Sequence, residues 1–534
     1  MPIDEGVNID LQFLILEVKK QARASLSCIE RPSLAKIGKV RVREDYVDNL
    51  KNTLENKSYF NIHQNVEDER QMNYFRALIT IGANLDRCAD FFEHIAEEME
   101  HVNEPETFKE FDLRRYYSTI YRALDLIYPA FMDSDLDMAQ KICDYEQYID
   151  ELYETSYARI RSHLKQRRHV DDMLSLLTIV RYLERVGDSF LNIGEAILDI
   201  HVGEKMGIKQ FRHLKRGLES QGLDISDFDV LFKPIMNTRS GSRVAQISGP
   251  EQNKVFYKEG PKNKIDEEVN GIKLWQKKFP GWTPEVLWHN SRRNHATVLL
   301  EYIDGADLLE ILINSRSKLD HALDLLSGNL VTVWDTSRKK KATKVDYISQ
   351  LMRRKGDIQS VHSNLFDRDD DLGELLADAR KLEKDLRVPF TTLIHGDFNV
   401  DNIIFQLKNN RMFYVDVHRS GYGDYVQDVS VFLVSNFRIP IFSRDIRQRL
   451  NEANRRVYRC AADYAEANHD TQFDERLAIG LFRSLITSTR FMFDKNFSRD
   501  MYERALLILR ELLAHRNRYK RKQFKLREDY FLYG

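Results

Sequence analysis

The sequence predicts two folds joined in one chain: an all-α helical bundle over residues 1–205, then an α+β domain over most of the remainder. Three observations carry this. Before residue 205, apolar groups recur with helical spacing and strand-like alternation is almost absent. Two segments within that region repeat each other, Leu85 to Glu97 and Leu183 to Glu195. Beyond it, short apolar strands alternate with helices, and a polar loop from His395 to Asn402 lies between two of them. At 534 residues the chain is too long for one ordinary domain.

In the helical part, each copy of the repeat sets two carboxylates four residues apart, Asp86 with Asp90 and Glu184 with Asp188. On a helix that spacing puts both on one face. Two such helices side by side would gather all four. Like charges so placed repel, so a cation or the flanking Arg87, Arg181 and Arg185 must compensate. Two readings stand. One is a divalent-metal site, where an oxygen-only shell suits Mg²⁺, Mn²⁺ or Ca²⁺. The other is a solvated face laced with Arg–carboxylate pairs worth about 0.3–0.5 kcal/mol each.

This repeat resembles the PhoU domain, a phosphate-uptake regulator built from two copies of a three-helix unit. Arg181 to Asp188 is the closer match; the first copy has Asp86 in place of Glu, and Cys88-Ala89 in place of an apolar residue and Gly. The resemblance extends to the preceding helices, Glu44 to Lys57 and Leu136 to Arg161, and covers most of residues 10–200. It implies a bundle of two three-helix units and a divalent ion, iron or zinc included, at Asp86, Asp90, Glu184 and Asp188. A homodimer or a phosphate-signalling partner is expected with it.

Residues 206–238, rich in Gly, Asp and short polar clusters, are expected to form a linker. Two strands follow, Val244 to Ile247 and Val255 to Tyr257, separated by a turn at Gly249-Pro250. Lys258 ends the second strand. Ile265 to Lys277 has helical apolar spacing (Val269, Ile272, Leu274) and carries Glu268. Further on, Val298 to Tyr302 runs into Ile303-Asp304-Gly305.

The stretch from Thr392 onward then reads strand, polar loop, strand (Ile403 to Phe405), and a last strand ending in Asp416. That layout places Asp397, Asn402 and Asp416 around one cleft. Phosphoryl transfer needs a carboxylate to orient the attacking hydroxyl and oxygen ligands to hold Mg²⁺ against the phosphates. Asp397 suits the first role, and Asn402 with Asp416 the second. A turn-only reading of His395-Gly396-Asp397 competes, since Gly and Asp are turn residues.

His-Gly-Asp, four further residues, then Asn resembles the catalytic loop of the aminoglycoside phosphotransferase and choline kinase-like family. The resemblance implies a bilobal, protein kinase-like α+β domain that uses ATP and Mg²⁺. Asp397 would be the catalytic base, and Asn402 and Asp416 the metal ligands. Lys258 and Glu268 would form the ion pair that holds the nucleotide phosphates, although Glu267 competes with Glu268. Ser240-Gly241-Ser242 would occupy the phosphate-loop position, and Glu301 and Tyr302 the hinge that receives adenine. The segment with Gly423, Asp424 and Asp428 resembles the family's loop-bracing helix start. Protein kinases carry Arg in place of Gly396 and Asp-Phe-Gly where this chain has Asp416-Val417-His418, which favours a small-molecule kinase.

On this reading 239–305 is the N-lobe with its hinge, 306–515 the C-lobe with a helical acceptor region, and 516–534 a basic tail. The acceptor region holds Trp334, Tyr347 and the basic run Arg338 to Lys341, beside an acidic run from Asp367 to Asp371. The acceptor is expected to be a small hydroxylated molecule. An aminoglycoside would want a strongly acidic pocket, which nothing here identifies. A non-catalytic nucleotide sensor in phosphate signalling is the competing function, and the fusion itself suggests a link to phosphate status.

Charge is balanced, with formal net charge −2, so no global field steers the chain to nucleic acid. The four cysteines (Cys28, Cys88, Cys143, Cys460) have no paired spacing. The start Met1-Pro2-Ile3-Asp4-Glu5 is not expected to be a secretory signal, and no apolar stretch reaches bilayer length. A cytoplasmic protein with no membrane insertion is expected.

Overall fold

A computed structural model describes residues 5–64, 69–202, 206–225, 229–234, 243–248, 254–341, 343–366, 371–406, 408–519 and 522–533. The chain forms two compact units: Met1–Met236 with Ala245–Val255, and Asn237–Val244 with Phe256–Gly534.

In the first unit the helical periodicity resolves into α1 (Glu5–Glu30), α2 (Leu34–Gln64), α3 (Glu69–Glu98), α4 (Leu113–Met132), α5 (Leu136–Lys165) and α6 (Val170–Val202). Helices α1, α2 and α3 pack on one another, as do α4, α5 and α6, and α3 lies along α6. The sequence repeat is therefore a repeat of three-helix units. Polar groups inside the bundle find partners: Ser25 and Tyr117 hydroxyls meet at 2.8 Å, and the Asn192 amide donates to Asn84 Oδ1 at 3.1 Å. Asp135 caps α5 by accepting from the Met138 N–H at 2.8 Å.

Residues 206–238, expected as a linker, carry helix α7 (Ile208–Glu219) and strand β1 (Asp229–Pro234), which pairs antiparallel with β2 (Arg243–Ser248). Glu195 Oε1 accepts from the Ile208 N–H at 2.9 Å and ties the start of α7 to α6. Met206, Ile208, Phe211, Leu214 and Leu218 are buried.

From Phe256 on, the second unit holds most of β3 (Lys254–Pro261), then α8 (Lys262–Lys278), β4 (Val286–Arg292) and β5 (His295–Glu301), with β5 between β3 and β4. Then come β6 (Ala306–Asp307), α9 (Leu308–Asn314), α10 (Arg316–Ser337), β7 (Thr343–Lys344), α11 (Tyr347–Arg353), α12 (Lys355–Val361), α13 (Leu372–Asp385) and β8 (Arg387–Val388). The site-bearing strands are β9 (Thr392–Ile394), β10 (Ile403–Gln406), β11 (Arg411–Tyr414) and β12 (Gly421–Gly423). Helices α14 (Tyr425–Phe437), α15 (Arg444–Ala467), α16 (Phe473–Ser488) and α17 (Lys495–Arg518) complete the unit.

The core behind these strands is aromatic: Trp275, Phe279, Trp282 and Tyr414 contact in series, with centroids 5.1–6.1 Å apart. The start of α14 is fixed by a buried ion cluster. Arg476, with 0 % of its side chain exposed, donates to Asp424 Oδ2 at 2.8 Å and Asp470 Oδ2 at 2.6 Å. The Tyr425 hydroxyl donates to Asp470 at 2.8 Å. Among the described residues, no helix is long and apolar enough to cross a membrane.

Candidate active site

The loop after β9 is shaped by one glycine and one buried histidine. Gly396 has φ +82°, and a Cβ there would overlap the Arg419 carbonyl oxygen, so only glycine fits. His395 is buried; its Nε2–H donates to the Val415 carbonyl at 2.9 Å, and its Nδ1 accepts from the Asp397 N–H at 3.3 Å. Burial lowers its pKa, and this donor–acceptor arrangement is that of a neutral ring. Asp428, one turn into α14, accepts from the N–H groups of His395 and Gly396 at 2.7 and 2.8 Å. Burial pushes the Asp428 carboxyl up to about 7, although those two N–H groups pull the other way. The ion cluster at Asp424 thus holds the helix whose Asp428 holds the loop.

Within that frame Asp397, Asn402 and Asp416 converge. The Asn402 side-chain amide donates to the Asp397 carbonyl at 2.9 Å, and the Val415 N–H donates to the Asn402 carbonyl at 3.0 Å. Asp397 Oδ1 accepts from the Asn399 amide at 3.0 Å, and Oδ2 lies 3.1 Å from Arg419 Nη1. Asp416 sits in the left-handed region at φ +59°, a strained setting for a non-glycine residue. Helix α8 approaches closely here: at Gly271 a Cβ would overlap the Val417 carbonyl oxygen.

Lys258, on β3, reaches into this group. Its ammonium lies 2.6 Å from Glu268 Oε2 on α8 and 2.9 Å from Asp416 Oδ1. Burial works against the charged amine, yet the two carboxylates hold its pKa above the ordinary value. Burial would raise Asp416, but His418 Nδ1 at 3.2 Å and Lys258 hold it well below the usual carboxylate range. Asp416 is therefore ionised at neutral pH. Glu268, not Glu267, is the partner of Lys258.

The remaining expected positions behave differently. Glu301 pairs with Glu285: its N–H donates to the Glu285 carbonyl at 2.9 Å, and its Oε2 accepts from the Glu285 N–H at 3.2 Å. That N–H is therefore taken by the Glu285 carbonyl, just ahead of β4. Tyr302 follows directly after β5. Ser240, Gly241 and Ser242 lie outside the described residues.

The four carboxylates of the helical repeat, expected to gather on facing helices, have their charged neighbours in two separate sets. The charged neighbours of Asp86 and Asp90 lie on α2 and α3: Lys51, Asp48, Glu44 and His94. Those of Glu184 lie on α5 and α6: Arg181, Asp188, Asp150 and Arg185. The contact between α3 and α6 instead includes Phe91 stacked on Tyr182 at 6.0 Å and the amide pair Asn192–Asn84. Each acidic face is partly compensated, by Lys51 3.5 Å from Asp86 and by Arg181 2.8 Å from Glu184. Burial and the like charges of Glu93 and Asp90 push Glu44 up to about 7, and burial pushes Asp86 up to about 6. Among the described residues, no three His, Cys, Asp or Glu side chains come together as an ion site.

Against protein families, residues 14–99 and 113–197 match the PhoU domain, and residues 265–467 match the phosphotransferase enzyme family. The chain carries two PhoU domains followed by a phosphotransferase-family domain. It is 28% identical over 212 residues to phosphate-specific transport system accessory protein PhoU homolog 1 of Thermotoga maritima, covering 39% of this chain and 88% of that protein. Among solved structures, PhoU from Pseudomonas aeruginosa is similar at 19% identity and TM-score 0.35, covering 38% of this chain and 97% of its own. Choline kinase from Cryptosporidium parvum is similar at 11% identity and TM-score 0.37, covering 55% and 92%.

Several side chains of the phosphotransferase domain were not legible from its motif. Arg419 sits three residues past Asp416 and pairs with Asp397, a closeness that only the return of β12 onto β9 creates. His418 is two residues from Asp416 and could have been flagged by proximity alone. In the PhoU domains, Glu44, Asp48, Glu146 and Asp150 complete the acidic faces from the preceding helices. The repeat contained that signal, but only across two helices at once.

Proposed function

We propose that the phosphotransferase domain transfers the terminal phosphoryl group of ATP to the hydroxyl of a small molecule, with Mg²⁺. The observation that carries this reading is the chain of contacts Glu268–Lys258–Asp416, which ends on the same loop system as Asp397 and Asn402. Lys258 is a buried, charged donor that could bind nucleotide phosphates as a fixed point charge. Asp397, held by Asn399 and Arg419, would orient the acceptor hydroxyl and take its proton as the oxygen attacks.

The donors fit Mg²⁺. Asn402 spends its amide nitrogen on the Asp397 carbonyl, so its Oδ1 is the atom it would offer a metal, and Asp416 is held ionised. Oxygen-only ligation is what this small, hard cation takes. When bound it would neutralise charge on the phosphates. Glu301 and Tyr302 would line the adenine side.

For the PhoU domains we propose a regulatory or docking role tied to phosphate status. Their curated relatives are described as accessory proteins of a phosphate-specific transport system. A non-catalytic nucleotide sensor is the second reading; a retired site commonly loses one of Asp397, Asn402 or Asp416, and this chain keeps all three. ATP binding with and without Mg²⁺, followed by ADP release across a panel of hydroxylated metabolites, separates the two. Mg²⁺-dependent binding with acceptor-dependent ADP release is expected. Binding with no ADP release from any acceptor would favour the sensor.

A further inference from the structure

Arginines gather on the side of Asp397. Arg419 pairs with its Oδ2. Arg490, in the short turn Thr489–Phe491, stacks on Phe491 with its guanidinium carbon 4.3 Å from the ring centroid. That turn is clamped from α12: the His362 Nε2–H donates to the carbonyls of Thr489 and Met492, at 3.1 and 2.7 Å. Arg483, on α16, lies 5.2 Å from the Tyr347 ring centroid and reaches Ser430 Oγ only at 3.5 Å. Its Nε is buried with no hydrogen-bond partner among the described residues. Arg354, at the end of α11, donates to Asp357 at 3.2 Å.

These groups sense one another. Arg490 has Arg354 and Arg419 as like-charged neighbours, with Asp357 and Asp397 opposite. Arg483 faces Asp397, Arg419, Asp428 and Tyr347. The guanidinium groups of Arg354, Arg419, Arg483 and Arg490 thus have Asp357, Asp397 and Asp428 as carboxylate neighbours, and those three are spoken for. Arg438, 3.3 Å from Asn399 Oδ1, adds a further guanidinium beside Asp401. Asp357 is taken by Arg354, Asp428 by two backbone N–H groups, and Asp397 by Arg419 until an acceptor arrives. Among the described residues, neither Arg483 nor Arg490 pairs with a carboxylate. Burial, with Arg354 and Arg419 next in weight, presses Arg490 down to about 10. A partly buried guanidinium left without a counter-ion is costly, and a bound oxyanion relieves that cost.

We propose that the acceptor is itself an anion, a hydroxylated small molecule bearing a phosphate or carboxylate group that Arg490 and Arg483 bind while its hydroxyl faces Asp397. This rests on the phosphotransferase reading above. In the step, the acceptor oxygen forms a new P–O bond to the terminal phosphorus of ATP as the bond to the bridging oxygen breaks. The hydroxyl proton goes to Asp397 and ADP leaves. Arg419, released from Asp397, stays beside the anion. Cationic acceptors are disfavoured by the same charges.

The test uses the full chain with ATP and Mg²⁺ and four acceptor probes: glycerol, kanamycin, glycerate and ribose 5-phosphate. ADP release is expected with glycerate or ribose 5-phosphate and not with glycerol or kanamycin, and the pair distinguishes carboxylate from phosphate. One lost charge-assisted hydrogen bond corresponds to about tenfold or more in affinity. Arg490→Gln should therefore raise the acceptor KM by at least about tenfold with the KM for ATP unchanged, and Arg490→Lys should recover part of it. Turnover of glycerol or kanamycin with the same KM in wild type and Arg490→Gln would overturn the proposal.

Inorganic phosphate binding, measured with the nucleotide site filled by a non-hydrolysable ATP analogue, decides the matter even if no probe turns over. Binding weakened about tenfold by Arg490→Gln or by Arg483→Gln supports the anion site. No binding, or binding equal in wild type and both variants, overturns it. Arg483 lies on a separate helix, so misfolding of one variant leaves the other informative.

Discussion

Gly396 and Asp397 together set what the loop after β9 can do. Asp397 is presented by a backbone that turns through a positive φ at Gly396 and is then tied down by His395 and Asp428. Gly396→Ala forces a Cβ into the Arg419 carbonyl, so the loop must shift. A strained left-handed residue costs about 1–3 kcal/mol, and a displaced catalytic group loses far more in rate than in stability. The expected outcome is a drop of about 1–3 kcal/mol in urea unfolding, with phosphoryl transfer lost and ATP binding kept. Full activity in this variant would mean the loop geometry is not the catalytic one. At this scale the motif residues were readable because Asp397, Asn402 and Asp416 act through local spacing. Arg419, Arg483 and Arg490 were not, because a single arginine acquires meaning only from the groups that tertiary folding brings against it.

Among the elements, the helices of the PhoU domains were legible in number and phase, while the direction of their acidic faces was not. Helical periodicity states which residues share a face, not which neighbouring helix that face meets. Helix α3 turns its carboxylates toward α2, and α6 turns its own toward α5, whereas α3 and α6 meet through Phe91 and Tyr182. Within 206–238, Gly and Asp mask in the sequence the short amphipathic run that forms α7.

The acidic face of α2 and α3 has a measurable consequence. Glu44 and Asp86 are raised to about 7 and about 6 from ordinary values of 4.5 and 3.8. Protonation therefore favours the folded form. The stabilisation is fully present below about pH 4, and is lost as pH rises through roughly 6 to 7. Hydrogen exchange at α2 and α3, corrected for intrinsic rate, should show stronger protection at pH 5 than at pH 8. Glu44→Gln should remove much of that difference. Equal protection at both values, or stronger protection at pH 8, would mean these carboxylates are not strained by one another.

Over the whole molecule, an all-α pair of PhoU domains and an α+β phosphotransferase domain share one chain, and each was readable from a different signal. The first came from an internal repeat, the second from the order of short motifs along the sequence. The proposed adenine side at Glu301 is hard to read from sequence, because it depends on backbone groups that every residue carries, and Ser240 to Ser242 lie outside the described residues. The most direct measurement on the full chain follows γ-labelled ATP with Mg²⁺ and an anionic hydroxylated acceptor, in wild type and Asp397→Asn. Label should appear on the organic acceptor in the wild type and fall by about a hundred- to ten-thousandfold in the variant, with ATP affinity within about twofold. Equal transfer by Asp397→Asn would contradict the account.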